Sequence, residues 1–353
     1  MEKMFASVLH APGEVRYEEV EIPQIGASDV LVKVAYAGIC GSDLPRSQNE
    51  NGARMYPLIL GHEFSGVVEK IGNEVSEVSV GDRVAVAPLI PDPESIYTKA
   101  GEFGLSDNYN IIGTGSNGAF AEYVKVPESH LVYLPNSLDL KTAAGIEPAT
   151  IAYHGLQRSE TVPGDTVAVL GCGSIGQFTI QCAKIFGAEK IIAVDIFDDK
   201  LELARKFGAD EIINSKNEDI YERIEELTKL GVDVVLETAG SPITQEQSIN
   251  ITKKHGKIVF VGISHSKLSL SSKSVEKILR AELTIKGSWN SYTAPYPGRA
   301  WEGSVLAMKK GKIKFKEMIS HNIKLDSLNN YLKGMYDKSI PFNKVIVEIN
   351  PEI

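Results

Sequence analysis

Four side chains in the first half of the chain have the chemistry of metal ligands. They are Cys40 in Gly38-Ile39-Cys40-Gly41-Ser42-Asp43, His62 and Glu63 in Gly61-His62-Glu63-Phe64-Ser65-Gly66, and Glu147, which precedes Pro148. Thiolate, imidazole and carboxylate all bind Zn2+, and a catalytic zinc takes three such ligands while keeping one position open. Each residue also has a plainer reading. Cys40 fits a small buried hydrophobe, His62 a satisfied core histidine and Glu147 a surface charge at a helix end. The four lie far apart in sequence, so spacing alone leaves both readings open.

A second group points to a dinucleotide. Gly171-Cys172-Gly173-Ser174-Ile175-Gly176 follows the apolar run Val167 to Leu170 and opens a predicted helix reaching Phe186. A further apolar run, Lys190 to Val194, ends in Asp195. Strand, glycine turn, helix, strand and acid in that order form one βαβ unit. Its glycines let the backbone and the helix N-terminus approach a pyrophosphate closely. Asp195 is placed to accept the ribose hydroxyls and would repel a 2′-phosphate, so NAD is expected over NADP. Lys200, the turn Thr238-Ala239-Gly240, and Val261 and Ile263 around the next strand end are secondary candidates for cofactor contact. An ordinary strand-to-helix turn explains such positions equally well.

These residues need two kinds of scaffold. From Met4 to about Tyr36, and again from Gly61 to Val86, short alternating runs between glycines and prolines predict the strands of a small barrel. Pro91 to Asn117 has no period and reads as an irregular lobe. Thr142 to Arg158 looks helical, broken at Pro148. From Pro163 onward strands and helices alternate, which predicts a doubly wound parallel sheet with ligands at the carboxyl ends of its strands. A helix near Trp301 to Lys309 and a last strand, Asn343 to Ile349, return to the first domain. The expected organisation is residues 1–152 with 291–353 as a β-rich domain, and 153–290 as the nucleotide domain.

The bulk properties narrow the class. A chain of 353 residues is long for one core, and about two domains are expected. The net charge of −9 with no basic stripe argues against nucleic acid. No apolar run approaches the ~20 residues of a membrane span, and three cysteines are too few for a disulfide framework. A cytoplasmic enzyme or binding protein fits these numbers.

Taken together, the motifs resemble the zinc-dependent medium-chain dehydrogenases over essentially the whole chain. Those carrying the resemblance are Gly-Ile-Cys-Gly-Ser-Asp, Gly-His-Glu-Phe-Ser-Gly-Val-Val, Val-Gly-Asp-Arg-Val, Gly-Ala-Phe-Ala-Glu-Tyr and Gly-Cys-Gly-Ser-Ile-Gly. Glu147-Pro148 is similar to the polyol dehydrogenase branch, where alcohol dehydrogenases carry cysteine. The stretches Cys40 to Arg46 and Lys277 to Trp289 are similar to its polyol-phosphate members.

The resemblance implies a GroES-like catalytic domain beside a Rossmann domain, in a homodimer or homotetramer. By it, Cys40, His62 and Glu147 ligate one catalytic zinc, with Glu63 a close neighbour or exchanging ligand. Asp43 accepts a hydrogen bond from His62, and Ser42 passes the substrate proton toward solvent. Many members bind a structural zinc through four cysteines in the lobe. Here Asp92, Ser95, Thr98 and Ser106 stand in that stretch, so no structural zinc is expected. The implied reaction is NAD-linked oxidation of a secondary alcohol, galactitol 1-phosphate foremost. A free polyol, threonine or a butanediol is the alternative substrate, and a non-catalytic NAD-binding protein the alternative class. Arg46 is the candidate phosphate contact, or else a surface ion pair. Trp289 and Asn290 are candidates for the substrate cleft, or else for packing.

Overall fold

The apolar runs between residues 166 and 287 assemble as six parallel strands of one sheet in the computed structural model, which describes residues 2–353. Across the sheet the order is Glu211–Asn214, Lys190–Asp195, Thr166–Leu170, Val232–Glu237, Thr252–Phe260, Thr284–Gly287. Val167, Ala168, Val169 and Leu170 of the central strand are wholly buried, as a parallel sheet covered on both faces requires. The chain leaves this strand for Lys190–Asp195 on one side and later returns to Val232–Glu237 on the other. A crevice for ligands forms at the carboxyl ends of strands where the order reverses in this way.

This sheet belongs to a unit of residues 148–291 and 311–314, and residues 1–147, 292–310 and 315–353 form another. In the latter, Asp29–Gly38 is the hub. It pairs along its length with Glu63–Ile71, over its first half with Tyr123–Pro127, and over its last residues with Lys344–Glu348. Val30, Val32 and Val34 of this strand are fully buried in the core of the unit. A smaller sheet joins Glu14–Glu21, Lys3–Ala11 and Leu58–Ile59.

Two sequence expectations change here. The helix Ile146–Ser159 runs through Pro148 without a break. Pro148 sits in the first turn, where its missing N–H has no intrahelical partner to lose. The interruption falls before it, at Ala144 and Gly145, between Leu140–Ala143 and Ile146–Ser159. The stretch from Pro91 to Asn117 also has structure: a helix at Ile96–Lys99, a 3-10 turn at Phe103–Leu105, and the strand Asn110–Ile111 paired with Leu89–Ile90.

Hydroxyls bind this lobe together. Ser106 Oγ accepts from the Asp92 N–H at 2.9 Å and from Thr98 Oγ1 at 2.9 Å. Ser95 Oγ accepts from the Asp107 N–H at 3.0 Å, and both serines are buried. Asp92, Ser95, Thr98 and Ser106 therefore do converge, as a hydrogen-bonded cluster. Among the described residues, no helix is long and apolar enough to cross a membrane.

Candidate metal and dinucleotide sites

Strand pairing builds the first site. Gly38, at the end of Asp29–Gly38, lies opposite Glu63, at the start of Glu63–Ile71. That register sets Cys40, on the turn after one strand, beside His62 and Glu63, at the entry to the other. Cys40 Sγ, a His62 ring nitrogen and a Glu63 carboxylate oxygen all lie within 4.8 Å of one another. A thiolate and an imidazole closing on one point favour Zn2+ over Mg2+ or Ca2+, so the donor set fits the metal.

Asp43 orders this cluster. Its Oδ2 accepts the Cys40 N–H at 3.0 Å, and its Oδ1 faces His62 Nδ1 at 3.5 Å. The second distance is long for a hydrogen bond. Both atoms are buried without a closer hydrogen-bond partner, and each is turned toward the other, with Arg46 Nη1 the further charge near Oδ1. Nε2 is left as the metal-facing nitrogen of His62. Burial opposes a charge on Asp43, yet His62, Arg46 and the Cys40 N–H hold its carboxyl below the usual range. Burial also opposes a charged His62, but Asp43 and Cys40 reverse this and carry the imidazole well above 6.5. A metal binding this ring must displace its proton.

Glu147 stays outside the trio. It is the second residue of Ile146–Ser159 and is partly buried. Burial raises its carboxyl to about 7, opposed by His62 and Lys344 and reinforced by Glu63 and Asp43. It therefore lies within the electrostatic reach of the cluster.

Lys344 is the member that sequence reasoning missed. Its buried ammonium pairs with Glu63 and donates to the Ile39 carbonyl at 3.0 Å. A lysine at the head of an apolar strand carries no local signal. Only the pairing of Lys344–Glu348 with the hub strand brings it here.

Ser42 and Arg46 flank the sulfur. Ser42 Oγ donates to Cys40 Sγ at 3.3 Å and accepts from Arg46 Nη1 at 3.2 Å. Arg46 also donates to the Ser42 carbonyl at 3.1 Å and stands 3.6 Å from Asp43 Oδ1, with its side chain 23% exposed.

The second site lies in the parallel-sheet unit. Gly171 has φ +93°, and a Cβ there would meet Ala239 at 2.8 Å. A Cβ on Gly176 would land on the Gly171 carbonyl oxygen, whereas at Gly173 it would meet nothing within 4 Å. The loop is thus closed on its inner side and open at Gly173, the N-cap of the helix Ser174–Ile185. Such a cradle fits a pyrophosphate. Ile175, in the first turn, accepts from Thr179 through its carbonyl.

Asp195 Oδ2 accepts the Cys172 N–H at 2.6 Å, and its Oδ1 accepts from Ile196 and Phe197 at 2.7 and 3.1 Å. The acid thereby ties the glycine loop to the end of the next strand. Thr238 Oγ1 donates to the Gly171 carbonyl at 2.7 Å, and Glu237 Oε1 accepts from the N–H groups of Ala239 and Gly240, each at 2.9 Å. These contacts hold the Thr238–Gly240 turn against the loop. Lys200 Nζ lies 5.0 Å from the Phe197 ring centre. Val261 donates its N–H to the Glu237 carbonyl at 2.9 Å, and Ile263 is exposed. Trp289 is half exposed, and Asn290 adopts a left-handed φ of 52°.

Comparison with known proteins decides the family. Residues 26–136 match the family described as Alcohol dehydrogenase GroES-like domain, and residues 174–303 match Zinc-binding dehydrogenase. Galactitol 1-phosphate 5-dehydrogenase of Escherichia coli (strain K12) is 36% identical over 337 residues, 95% of this chain and 97% of that protein. The chain belongs to the zinc-dependent medium-chain dehydrogenases.

The crystal structure of galactitol-1-phosphate dehydrogenase from Escherichia coli superimposes on this dehydrogenase with a TM-score of 0.93, covering 98% of this chain and all of that one at 35% identity. Sorbitol dehydrogenase of Bacillus subtilis is 36% identical over 302 residues, 84% of either chain. A putative zinc-binding dehydrogenase from Sinorhizobium meliloti, solved bound to NADP, matches at TM-score 0.91 and 32% identity, covering 99% of this chain and 100% of that one. The β-rich unit is thus GroES-like and the parallel sheet Rossmann-like, in a zinc-type dehydrogenase of the alcohol and polyol group.

Proposed function

We propose that this enzyme oxidises a secondary alcohol of a polyol phosphate with NAD, converting galactitol 1-phosphate to D-tagatose 6-phosphate in the cytoplasm. The observation that carries the reading is the convergence of Cys40, His62 and Glu63 on one point, with Asp43 behind the imidazole. Cys40 and His62 hold one zinc per chain, and Glu147 supplies the third ligand with Glu63 in reserve. When bound, the zinc supplies a Lewis acid that favours the alkoxide form of the alcohol. The dinucleotide supplies the hydride acceptor.

The remaining roles fall to side chains. Ser42 Oγ, held between Cys40 Sγ and Arg46, relays the alcohol proton, accepting it while releasing its own hydroxyl proton toward solvent. Arg46 donates to Ser42 through Nη1, and its other N–H groups are available to a substrate phosphate. Asp195 accepts the adenosine ribose hydroxyls and disfavours a 2′-phosphate. Trp289 and Asn290 contact the substrate. The edge strand Thr284–Gly287 joins copies of the chain into a homo-oligomer.

The test is NADH formation from galactitol 1-phosphate, galactitol and sorbitol, with and without a zinc chelator. Chelator-sensitive turnover of the phosphorylated polyol, with Arg46→Ala raising its KM far more than that of galactitol, is the expected result. Equal KM effects on both substrates remove Arg46 from phosphate binding. The relationship to sorbitol dehydrogenase supports a second reading, a free-polyol dehydrogenase, and a preference for sorbitol would favour it. Metal analysis giving two zinc ions per chain contradicts the single site.

A further inference from the structure

The cluster holds more carboxylates than a catalytic zinc with one open position can use. Glu63 is already in the trio with Cys40 and His62, and Glu147 lies within reach of their charges. If both carboxylates bound alongside Cys40 and His62, four protein ligands would close a tetrahedral ion to substrate. Something must therefore decide between them.

We propose that Lys344 is a positioning residue that keeps Glu63 out of the metal's ligand set and so preserves the open position. This rests on the metal reading above. Three observations support it. Lys344 is almost wholly buried, 2% exposed, and its ammonium pairs with Glu63. The same ammonium donates to the Ile39 carbonyl at 3.0 Å, one residue before the ligand Cys40, so the latch is fixed to the cluster's own backbone. Gly38 opens the space for it: a Cβ there would collide with the Glu63 carboxylate and lie 3.0 Å from Lys344 Cε.

The physical argument is a competition for one buried anion. A carboxylate shut away from water needs a cation, and removing one partner of such a pair is costly. With Lys344 present, the ammonium meets that need. Without it, the nearest positive charge available to Glu63 is the zinc itself. Replacing Lys344 by a neutral residue of similar length should convert Glu63 from a bystander into a ligand. Metal binding then tightens and the open position is lost. A lysine that merely supported the local structure would show the opposite sign, since its removal would loosen the site.

The experiment compares wild type, Lys344→Met, Lys344→Arg and the double variant Lys344→Met/Glu63→Gln. For each, the rate of zinc transfer to a competing chelator is followed, along with the visible spectrum of the Co2+-substituted protein. Lys344→Met should slow transfer by about tenfold or more, the scale of changes beside a metal site. Its cobalt spectrum should change with the added oxygen ligand. Lys344→Arg should retain wild-type behaviour, and the double variant should return to it. Faster transfer in Lys344→Met, or a double variant as altered as the single one, overturns the proposal. If Lys344→Met does not fold, Glu63→Gln in the otherwise native chain decides. An unchanged cobalt spectrum supports Glu63 as a bystander, and a changed one makes it a resting ligand and overturns the proposal. Wild-type protein that takes up no zinc or cobalt overturns the metal reading itself.

Discussion

Asp43 shows how much one side chain can organise. It spans the Cys40 N–H and the His62 ring, and it is fully buried. Asp43→Asn keeps the shape but removes the charge that orients and supports the imidazole. Zinc affinity should fall by about 10–100-fold, measured by chelator competition. Asp195 has a comparable double role, since it accepts three backbone N–H groups besides its proposed ribose contact. Asp195→Ala should narrow the preference for NAD over NADP and raise KM for both, read from initial rates with each dinucleotide. An unchanged preference would remove Asp195 from cofactor discrimination.

At the level of elements, the lobe from Pro91 to Asp107 is the informative case. Its helix Ile96–Lys99 is only four residues long and contributes no buried side chain, so propensity and packing do little for it. The buried hydroxyls of Ser95 and Ser106 carry the lobe instead. Ser106→Ala would strand the Asp92 N–H and the Thr98 hydroxyl, a cost of about 1–3 kcal/mol. Hydrogen exchange at the Asp92 amide should speed up accordingly, and adding a chelator to the native chain should leave that amide unaffected. Sequence reasoning placed the four oxygen side chains in one stretch but had no means of pairing them. Hydrogen bonds between residues 8 to 14 positions apart are set by how the lobe folds back on itself.

For the molecule as a whole, a pH response comes from His130, a buried histidine that belongs to neither site. Its Nε2 lies 3.1 Å from the Leu89 carbonyl and its Nδ1 3.1 Å from Ser129 Oγ. That pattern suits the neutral ring, one nitrogen donating and the other accepting. Burial pushes its pKa down from 6.5 to about 4. Between those values the unfolded chain binds a proton that the folded one refuses. The contribution is therefore complete above pH 6.5 and is lost as pH falls from 6.5 toward 4. Its full size is on the order of 3 kcal/mol. In urea unfolding, the stability of wild type relative to the non-titrating His130→Gln should fall by about that amount between pH 7.5 and pH 4; a difference that held constant would show that the His130 charge plays no part.

The local sequence determined what depends on neighbours along the chain. The glycine loop, its flanking strands and Asp195 all lie within one βαβ unit, where turn geometry and hydrophobic periodicity suffice. The types of the metal-ligand candidates were legible for the same reason, as Cys40, His62 and Glu63 sit in short glycine-flanked turns. Only the tertiary structure decided which of them meet. The pairing of Asp29–Gly38 with Glu63–Ile71 closes the trio, and the return of the chain at Lys344–Glu348 delivers a buried ammonium from the far end of the sequence. No periodicity reports such a partner, because an ion pair between residues 281 positions apart depends on strand register and burial rather than on anything nearby in the chain.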